Sequence, residues 1–150
     1  KSISLPGERI GYLAVHPDCS DADKIIEICP QISRTIGQNG AASLMQRTVA
    51  DVCGCTSDLS VYETNKKIRF EALREYGYHC VEPGGTFYMF PRSLEPDSQA
   101  FCKKAMEKDL MLVPGDIFGC PGHFRIGYCV PTQRVEKALP VFKELAEEYR

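Results

Sequence analysis

A lysine and an arginine stand eight positions apart at the start of the chain, as Lys1 and Arg9, with the turn-forming pair Pro6-Gly7 between them. A lysine amine can bond covalently to a carbonyl group, and a guanidinium holds a phosphate with two parallel hydrogen bonds. A proline-glycine turn lets both side chains converge on one ligand. Lys1 and Arg9 are therefore candidate site residues. Taken alone, the pair would more commonly be a terminal lysine and a surface arginine at a strand end.

Arg125 is a charged residue in an apolar setting. A glycine-rich loop from Gly115 leads into it, and Phe124 and Ile126 flank it on a predicted inner strand. A charge in such a place is costly unless it is paired. A substrate carboxylate is a natural bidentate partner. The alternative is a structural ion pair with a neighbouring Glu or Asp.

These segments resemble, in order, the aspartate-aminotransferase-like enzymes that depend on pyridoxal phosphate (class I and II, fold type I). The resemblance covers nearly all 150 residues. It is carried by Lys1 to Arg9, Asn39-Gly-Ala-Ala-Ser-Leu-Met-Gln46, Pro83-Gly-Gly-Thr-Phe-Tyr88, Leu112-Val-Pro-Gly115 and the segment around Arg125. The second of these segments has one more small residue after Asn39 than the family pattern has.

The resemblance implies a role for each matched residue. Lys1 would bind pyridoxal 5'-phosphate covalently and shuttle a proton, and Arg9 would hold the cofactor's phosphate. Arg125 would bind the α-carboxylate of the substrate. Phe87 and Tyr88 would line the substrate pocket, although plain strand core is an equally good interpretation of both.

The implied reaction is amino transfer between an α-amino acid and a 2-oxo acid, in a cytoplasmic homodimer. The same scaffold also serves C–S lyases and a cyclopropane-forming synthase, so a lyase is the alternative within enzymes. A non-catalytic binding domain on this fold is the alternative from another class.

The resemblance also implies a fold and a position in a longer chain. The fold is α/β with an α+β small domain. Residues 1–57 would be the C-terminal part of the large cofactor-binding domain, and residues 58–150 the small domain with the interdomain helix. The family's residues that hold the cofactor ring lie upstream of the lysine, so residues 1–150 alone are expected to be inactive.

The apolar pattern predicts the elements of residues 1–57. Residues 8–15 are typical of a buried strand. A helix is expected from Ser20 or Asp21 toward Ile36, with Pro30 kinking or ending it. A second helix is expected from about Ala41 to Val52.

Residues 58–150 have a different pattern, with one long helix followed by short strands and two more helices. A long helix is expected over 58–76, with Gly77 as its left-handed terminator and with Lys66, Lys67, Arg69 and Arg74 solvated. Short strands are expected at 78–82, 86–91, 110–113 and 124–130, and helices at 97–108 and 132–149, the last kinked at Pro140.

Composition excludes some classes of partner. The formal net charge is −2, with both signs interspersed, which disfavours nucleic acid and anionic membranes as partners. No apolar run approaches the ~20 residues that span a bilayer. Eight cysteines are expected to be mostly buried free thiols in a reducing cytoplasm, without disulfides or metal. The alternative is a zinc site from Cys53, Cys55, Cys120 and His123, which the Cys-x-Cys spacing disfavours.

Overall fold

The computed structural model describes residues 3–150, so Lys1 and Ser2 lie outside the described residues. The contacts divide the chain into two units. The N-terminal unit ends at Ser57, and the C-terminal unit is Asp58–Arg150.

The N-terminal unit is helical in the part that the structure describes. A 3-10 turn, Pro6–Glu8, is followed by helix α1, Ala22–Thr35, and helix α2, Ser43–Val52. None of residues 3–57 is buried. The isoleucine stripe of α1 is present but open to solvent, since Ile26 is 59% and Ile36 70% exposed. These helices therefore have no core of their own within residues 3–57.

The buried strand predicted over residues 8–15 is absent. Glu8 closes the 3-10 turn, residues 9–15 have no regular structure, and Tyr12 and Leu13 are 94% and 68% exposed. A strand needs a neighbour for its N–H and C=O groups. Residues 3–57 contain no other strand to supply one.

The two prolines expected to disturb helices lie inside them. α1 includes Pro30 and continues to Thr35, so the expectation that Pro30 could end the helix is wrong. Proline removes one backbone donor. The turn after it still forms its own bonds, such as that from Ile36 N to Ile32 O at 3.0 Å.

The C-terminal unit begins with helix α3, Ser60–Glu75, whose end the sequence predicted well. Gly77 has a φ of +98°, which favours glycine. Its N–H donates to Arg74 O at 3.1 Å, and the Tyr78 N–H donates to Leu73 O at 2.9 Å. This pair of bonds is a Schellman motif, and it turns the chain sharply after the helix.

Three short antiparallel strands and two more helices complete the C-terminal unit. Strand β1 is Tyr88–Met89, helix α4 is Ser98–Glu107, strand β2 is Val113–Pro114, strand β3 is Phe124–Gly127, and helix α5 is Thr132–Glu147, with Pro140 inside it. The sheet order is β1-β3-β2. The strands are shorter than predicted, and residues 78–82 form none. In the described part of the chain, Arg92 N donates to His79 O at 2.8 Å and joins residues 78–82 to the next segment.

The core of the C-terminal unit lies between this sheet and the helices. α3 packs against α5. Tyr78, Phe101, Phe124 and Phe142 are each at most 2% exposed, and their rings meet edge-on or stacked at 5.1 to 6.4 Å between centroids. The C-terminal unit thus has a continuous aromatic core, unlike residues 3–57.

The cysteines are free thiols, but the prediction that most are buried is wrong. Cys80 and Cys102 are buried, and the exposed ones are Cys19, Cys53, Cys55 and Cys129. Three of the exposed thiols belong to the N-terminal unit, which buries nothing in its described part. Burial raises the pKa of the Cys102 thiol to about 11.

Candidate functional site

Arg9 ends the 3-10 turn in a left-handed backbone conformation, with φ 52°. Its Nη1 donates to the Pro6 carbonyl at 3.0 Å. With Pro6, Gly11 and Gln38 among its neighbours, it lines a cavity of about 280 Å³. A non-glycine residue in this conformation is uncommon, and such residues cluster at functional sites.

The surroundings of Arg9 suit an anion. No carboxylate within residues 3–57 lies at ion-pair distance from its guanidinium, and one N–H group is used by Pro6 O. The remaining donors are available for a phosphate oxygen pair. Lys1, the predicted partner of Arg9, lies outside the described residues.

Arg125 lies on the face of the sheet opposite the core. Side chains alternate along β3, and Phe124, which is 0% exposed, points to the core, where Ile126 also packs. Arg125 and Gly127 therefore share the other face. Arg125 is half-buried there, and its Cα partner on β2 is Val113.

Two aromatic rings hold the Arg125 guanidinium. Its Cζ lies 4.3 Å from the ring centroid of Tyr88 and 4.2 Å from that of Phe118. Cation–π contacts of this kind stabilise a partly desolvated guanidinium by about 1–2 kcal/mol. No carboxylate in residues 58–150 forms an ion pair with it. The guanidinium is thus oriented by rings while its N–H donors stay available.

Tyr88 and Phe87, the two predicted pocket residues, contact one another with ring centroids 4.6 Å apart, but the contacts described for each of them beyond that pair differ. Tyr88 pairs with Gly127 across the sheet, and its ring lies against this glycine, where a Cβ would stand in ordinary van der Waals contact at 3.5 Å. Phe87 packs against the hydrophobic core. The structure therefore brings Tyr88, but not Phe87, over Arg125.

Phe118 was not predicted as a site residue, and the tight loop before Arg125 places it. Gly115 N donates to His123 O at 2.7 Å, and Cys120 N donates to Gly115 O at 3.0 Å. A Cβ on Gly115 would collide with the Cys120 and His123 carbonyls, so the loop requires glycine there. The glycine-rich signal was visible in the sequence, but nothing in it indicated that Phe118 turns onto the arginine.

Other features of the described chain do not add to this site. An open cleft of about 690 Å³ in the C-terminal unit is lined by His79, Arg92 and His123 among others, and includes none of the predicted site residues. Residues 3–150 contain no cluster of three or more His, Cys, Asp or Glu side chains that could hold a metal ion. None of the helices in the same range is long and apolar enough to cross a bilayer.

Comparison with known proteins extends over both units. The chain is 29% identical to the aspartate aminotransferase of Thermotoga maritima over 141 residues, which are 93% of this chain and 36% of that protein. It is 28% identical to the aspartate aminotransferase of Bacillus subtilis, over 99% of this chain and 40% of that protein. The chain thus spans about two fifths of the length of these relatives.

Solved structures give the same result. An aminotransferase from Eubacterium rectale superposes with a TM-score of 0.88 at 41% identity, over 100% of this chain and 38% of that one. The Thermotoga maritima aspartate aminotransferase superposes with a TM-score of 0.80 at 27% identity, over 96% and 37%. The match is to a portion of a fold type I aminotransferase of mixed α/β structure. The family model for aminotransferases of class I and II matches residues 1–142, and the chain therefore belongs to that family.

Proposed function

We propose that these residues are the C-terminal part of a pyridoxal-phosphate-dependent aminotransferase that moves an amino group between an α-amino acid and a 2-oxo acid. The observation that carries this proposal is the Arg125 guanidinium, oriented by Tyr88 and Phe118 and without a carboxylate partner in residues 58–150. Such a group is suited to bind a carboxylate with two parallel hydrogen bonds. Members of the family use pyridoxal phosphate in general and act on amino and 2-oxo acids.

The absence of a core in residues 3–57 supports the proposed domain assignment. Helices in proteins are stabilised mainly by packing of an apolar face against other parts of the fold. The isoleucines of α1 are exposed within residues 3–57, so that stabilising contact has to come from elsewhere. In the proposal, residues 1–57 are the tail of the large domain, whose other parts cover these faces. Residues 58–150, which have an aromatic core, are the small domain with the interdomain helix.

The cofactor would be held from the N-terminal unit. Arg9 fits its phosphate because the guanidinium lines a cavity and has no acidic partner within residues 3–57. When bound, pyridoxal phosphate supplies an electron sink for bonds at the substrate α-carbon. The Lys1 Nζ would hold the cofactor and carry the α-proton, and Arg125 would fix the substrate carboxylate. Tyr88 and Phe118 would keep the guanidinium in place and exclude water from its faces.

The substrate and the assembly remain predictions. The relatives above are named aspartate aminotransferases, so L-aspartate and 2-oxoglutarate are the first substrates to test. A homodimer and a cytoplasmic location are implied by the resemblance alone. A lyase on the same scaffold is the alternative reaction, and a non-catalytic binding domain is the alternative of another class.

Nitrogen transfer distinguishes these functions. The complete protein, loaded with pyridoxal phosphate, is supplied with ¹⁵N-labelled L-aspartate and unlabelled 2-oxoglutarate. We expect labelled glutamate to form with saturable kinetics, because the amino group passes between the two substrates. A C–S lyase would instead act on an α-amino acid that carries sulfur on its β-carbon: it would break the C–S bond and release a thiol, a 2-oxo acid and ammonia without 2-oxoglutarate, so such an amino acid is assayed in parallel. Without any turnover of aspartate or of a panel of other α-amino acids, the aminotransferase proposal would fail.

A further inference from the structure

Helix α3 places two polar side chains in the interior of the C-terminal unit, one turn apart. Asn65 is 0% exposed and Arg69 is 3% exposed. Arg69 was predicted to be solvated, and this prediction is wrong. Residues four apart lie on the same face of a helix, so the two side chains act on the same neighbour.

That neighbour is the backbone that follows Arg125. Arg69 Nη1 donates to Gly127 O at 2.5 Å. Asn65 Nδ2 donates to Tyr128 O at 3.0 Å and to Val130 O at 2.7 Å. Strand β3 ends at Gly127, so the sheet does not supply donors for the carbonyls from this residue onward. The side chains of α3 supply those donors instead.

Tyr128 connects the same network to the segment that carries Tyr88. Its N–H donates to Phe87 O at 2.9 Å, and its hydroxyl donates to Thr86 O at 2.8 Å. Thr86 has a φ of 65°, a left-handed conformation that is strained for a β-branched residue. Strain of this kind persists only where the surroundings fix the backbone.

Burying Arg69 and Asn65 costs desolvation free energy. Burial lowers the pKa of Arg69 to about 10, and no carboxylate in residues 58–150 forms an ion pair with it. Arg69 Nε and Asn65 Oδ1 are buried without a hydrogen-bond partner in the described chain. Apolar side chains at both positions would avoid this desolvation penalty, but they would leave the carbonyls of Gly127, Tyr128 and Val130 without these donors. A polar pair aimed at three carbonyls near Arg125 therefore suggests a role in positioning.

We propose that Asn65 and Arg69 are positioning residues for the substrate site. By fixing the end of β3 and, through Tyr128, the entry to β1, they hold Arg125 and Tyr88 in the arrangement that receives a substrate carboxylate. This inference rests on the proposed carboxylate-binding role of Arg125.

A double-mutant cycle in the complete, cofactor-loaded protein tests the inference. Arg69→Met removes the bond to Gly127 and is expected to raise the KM for L-aspartate on the order of ten- to a hundredfold, the scale of a small misplacement of a binding group. Arg69→Lys, which keeps a donor, should recover part of this loss. If Arg69 acts through Arg125, then Arg69→Met should add little in an Arg125→Lys background, because coupled residues are not additive.

Two controls separate positioning from stability. Arg74→Met makes the same chemical change at an exposed position of α3 and should leave the KM unchanged. Leu145→Ala opens a cavity in the core, so it should lower the unfolding midpoint and leave the KM of the folded enzyme unchanged. If Arg69→Met does not fold, Asn65→Ala enters the same cycle.

The outcomes also separate this inference from the proposed function. Suppose that Arg125→Lys raises the KM. The positioning role is then refuted, and the proposed function stands, if Arg69→Met alone leaves the KM unchanged. The same holds if the two substitutions together raise the KM by the full product of their separate effects. If Arg125→Lys has no effect, the proposed carboxylate site is itself wrong.

Discussion

Arg125→Lys in the complete enzyme will raise the KM for the amino acid and lower kcat, with a loss of transition-state binding of about 2–5 kcal/mol. The physical reason is geometric. Lysine keeps the positive charge, but it lacks the planar pair of N–H donors that a carboxylate binds, and it lacks the guanidinium that Tyr88 and Phe118 contact. The measurement is steady-state kinetics with varied amino acid at saturating 2-oxo acid.

The cofactor should be unaffected by this change. Its phosphate is assigned to Arg9, so the absorbance spectrum of the loaded Arg125→Lys enzyme should match that of the unsubstituted protein. Arg134→Lys, on an exposed turn of α5, is the matched control and should change neither kinetic constant. Unchanged kinetics for Arg125→Lys would instead favour a structural role for this arginine.

Residues 1–150 alone, with added pyridoxal phosphate, will show no saturable aminotransferase activity. The helices in residues 3–57 bury nothing within that range, so the segment that carries Arg9 is not held in place by a core. Positioning and preorganised electrostatics supply most of the rate enhancement of an enzyme, and two arginines cannot replace them. The assay is amino-acid-dependent formation of a 2-oxo acid, with the complete protein as the positive control.

Self-association is a second expected property of this isolated chain. Exposed apolar residues such as Tyr12 and Ile36, which are 94% and 70% exposed, tend to find a partner. Stoichiometric cofactor binding with turnover by residues 1–150 would show that the proposed role of Lys1, or the proposed need for residues outside 1–150, is wrong.

The sequence predicted best those elements whose signals are local. The end of α3 follows from Gly77, because a left-handed residue there permits the bond from Tyr78 N to Leu73 O. The last helix, expected over 132–149, likewise agrees closely with α5, Thr132–Glu147. Arg125 could be singled out because a charge between apolar neighbours on a strand is costly unless a partner binds it.

Features that depend on distant neighbours were missed. The strand expected over residues 8–15 has the right composition, but a strand forms only beside a partner, and residues 3–57 contain none. Arg69 was assigned to solvent because charged residues usually lie there, whereas the carbonyl that it binds belongs to Gly127, far along the chain. The contact of Phe118 with Arg125 likewise depends on the fold of the loop, which no local pattern reveals.

The contacts around Arg125 could be predicted from the sequence only in part. Tyr88 was weighed equally as pocket and core, and the register that pairs it with Gly127 is what brings its ring over Arg125. Register is set by the whole sheet, so the sequence of one strand does not fix which side chains meet.

Mapping the attachment point of the cofactor tests the central claim most directly. The complete protein is loaded with pyridoxal phosphate, reduced with borohydride, digested, and examined by peptide mass spectrometry. We predict a single phosphopyridoxyl group on the residue numbered Lys1 here, because that amine is assigned to hold the cofactor beside Arg9. Arg9→Ala should weaken cofactor binding without moving the attachment point. Labelling of a different lysine, such as Lys24 or Lys66, or of no lysine in the loaded protein, would contradict the assignment of Lys1 as the lysine that holds the cofactor.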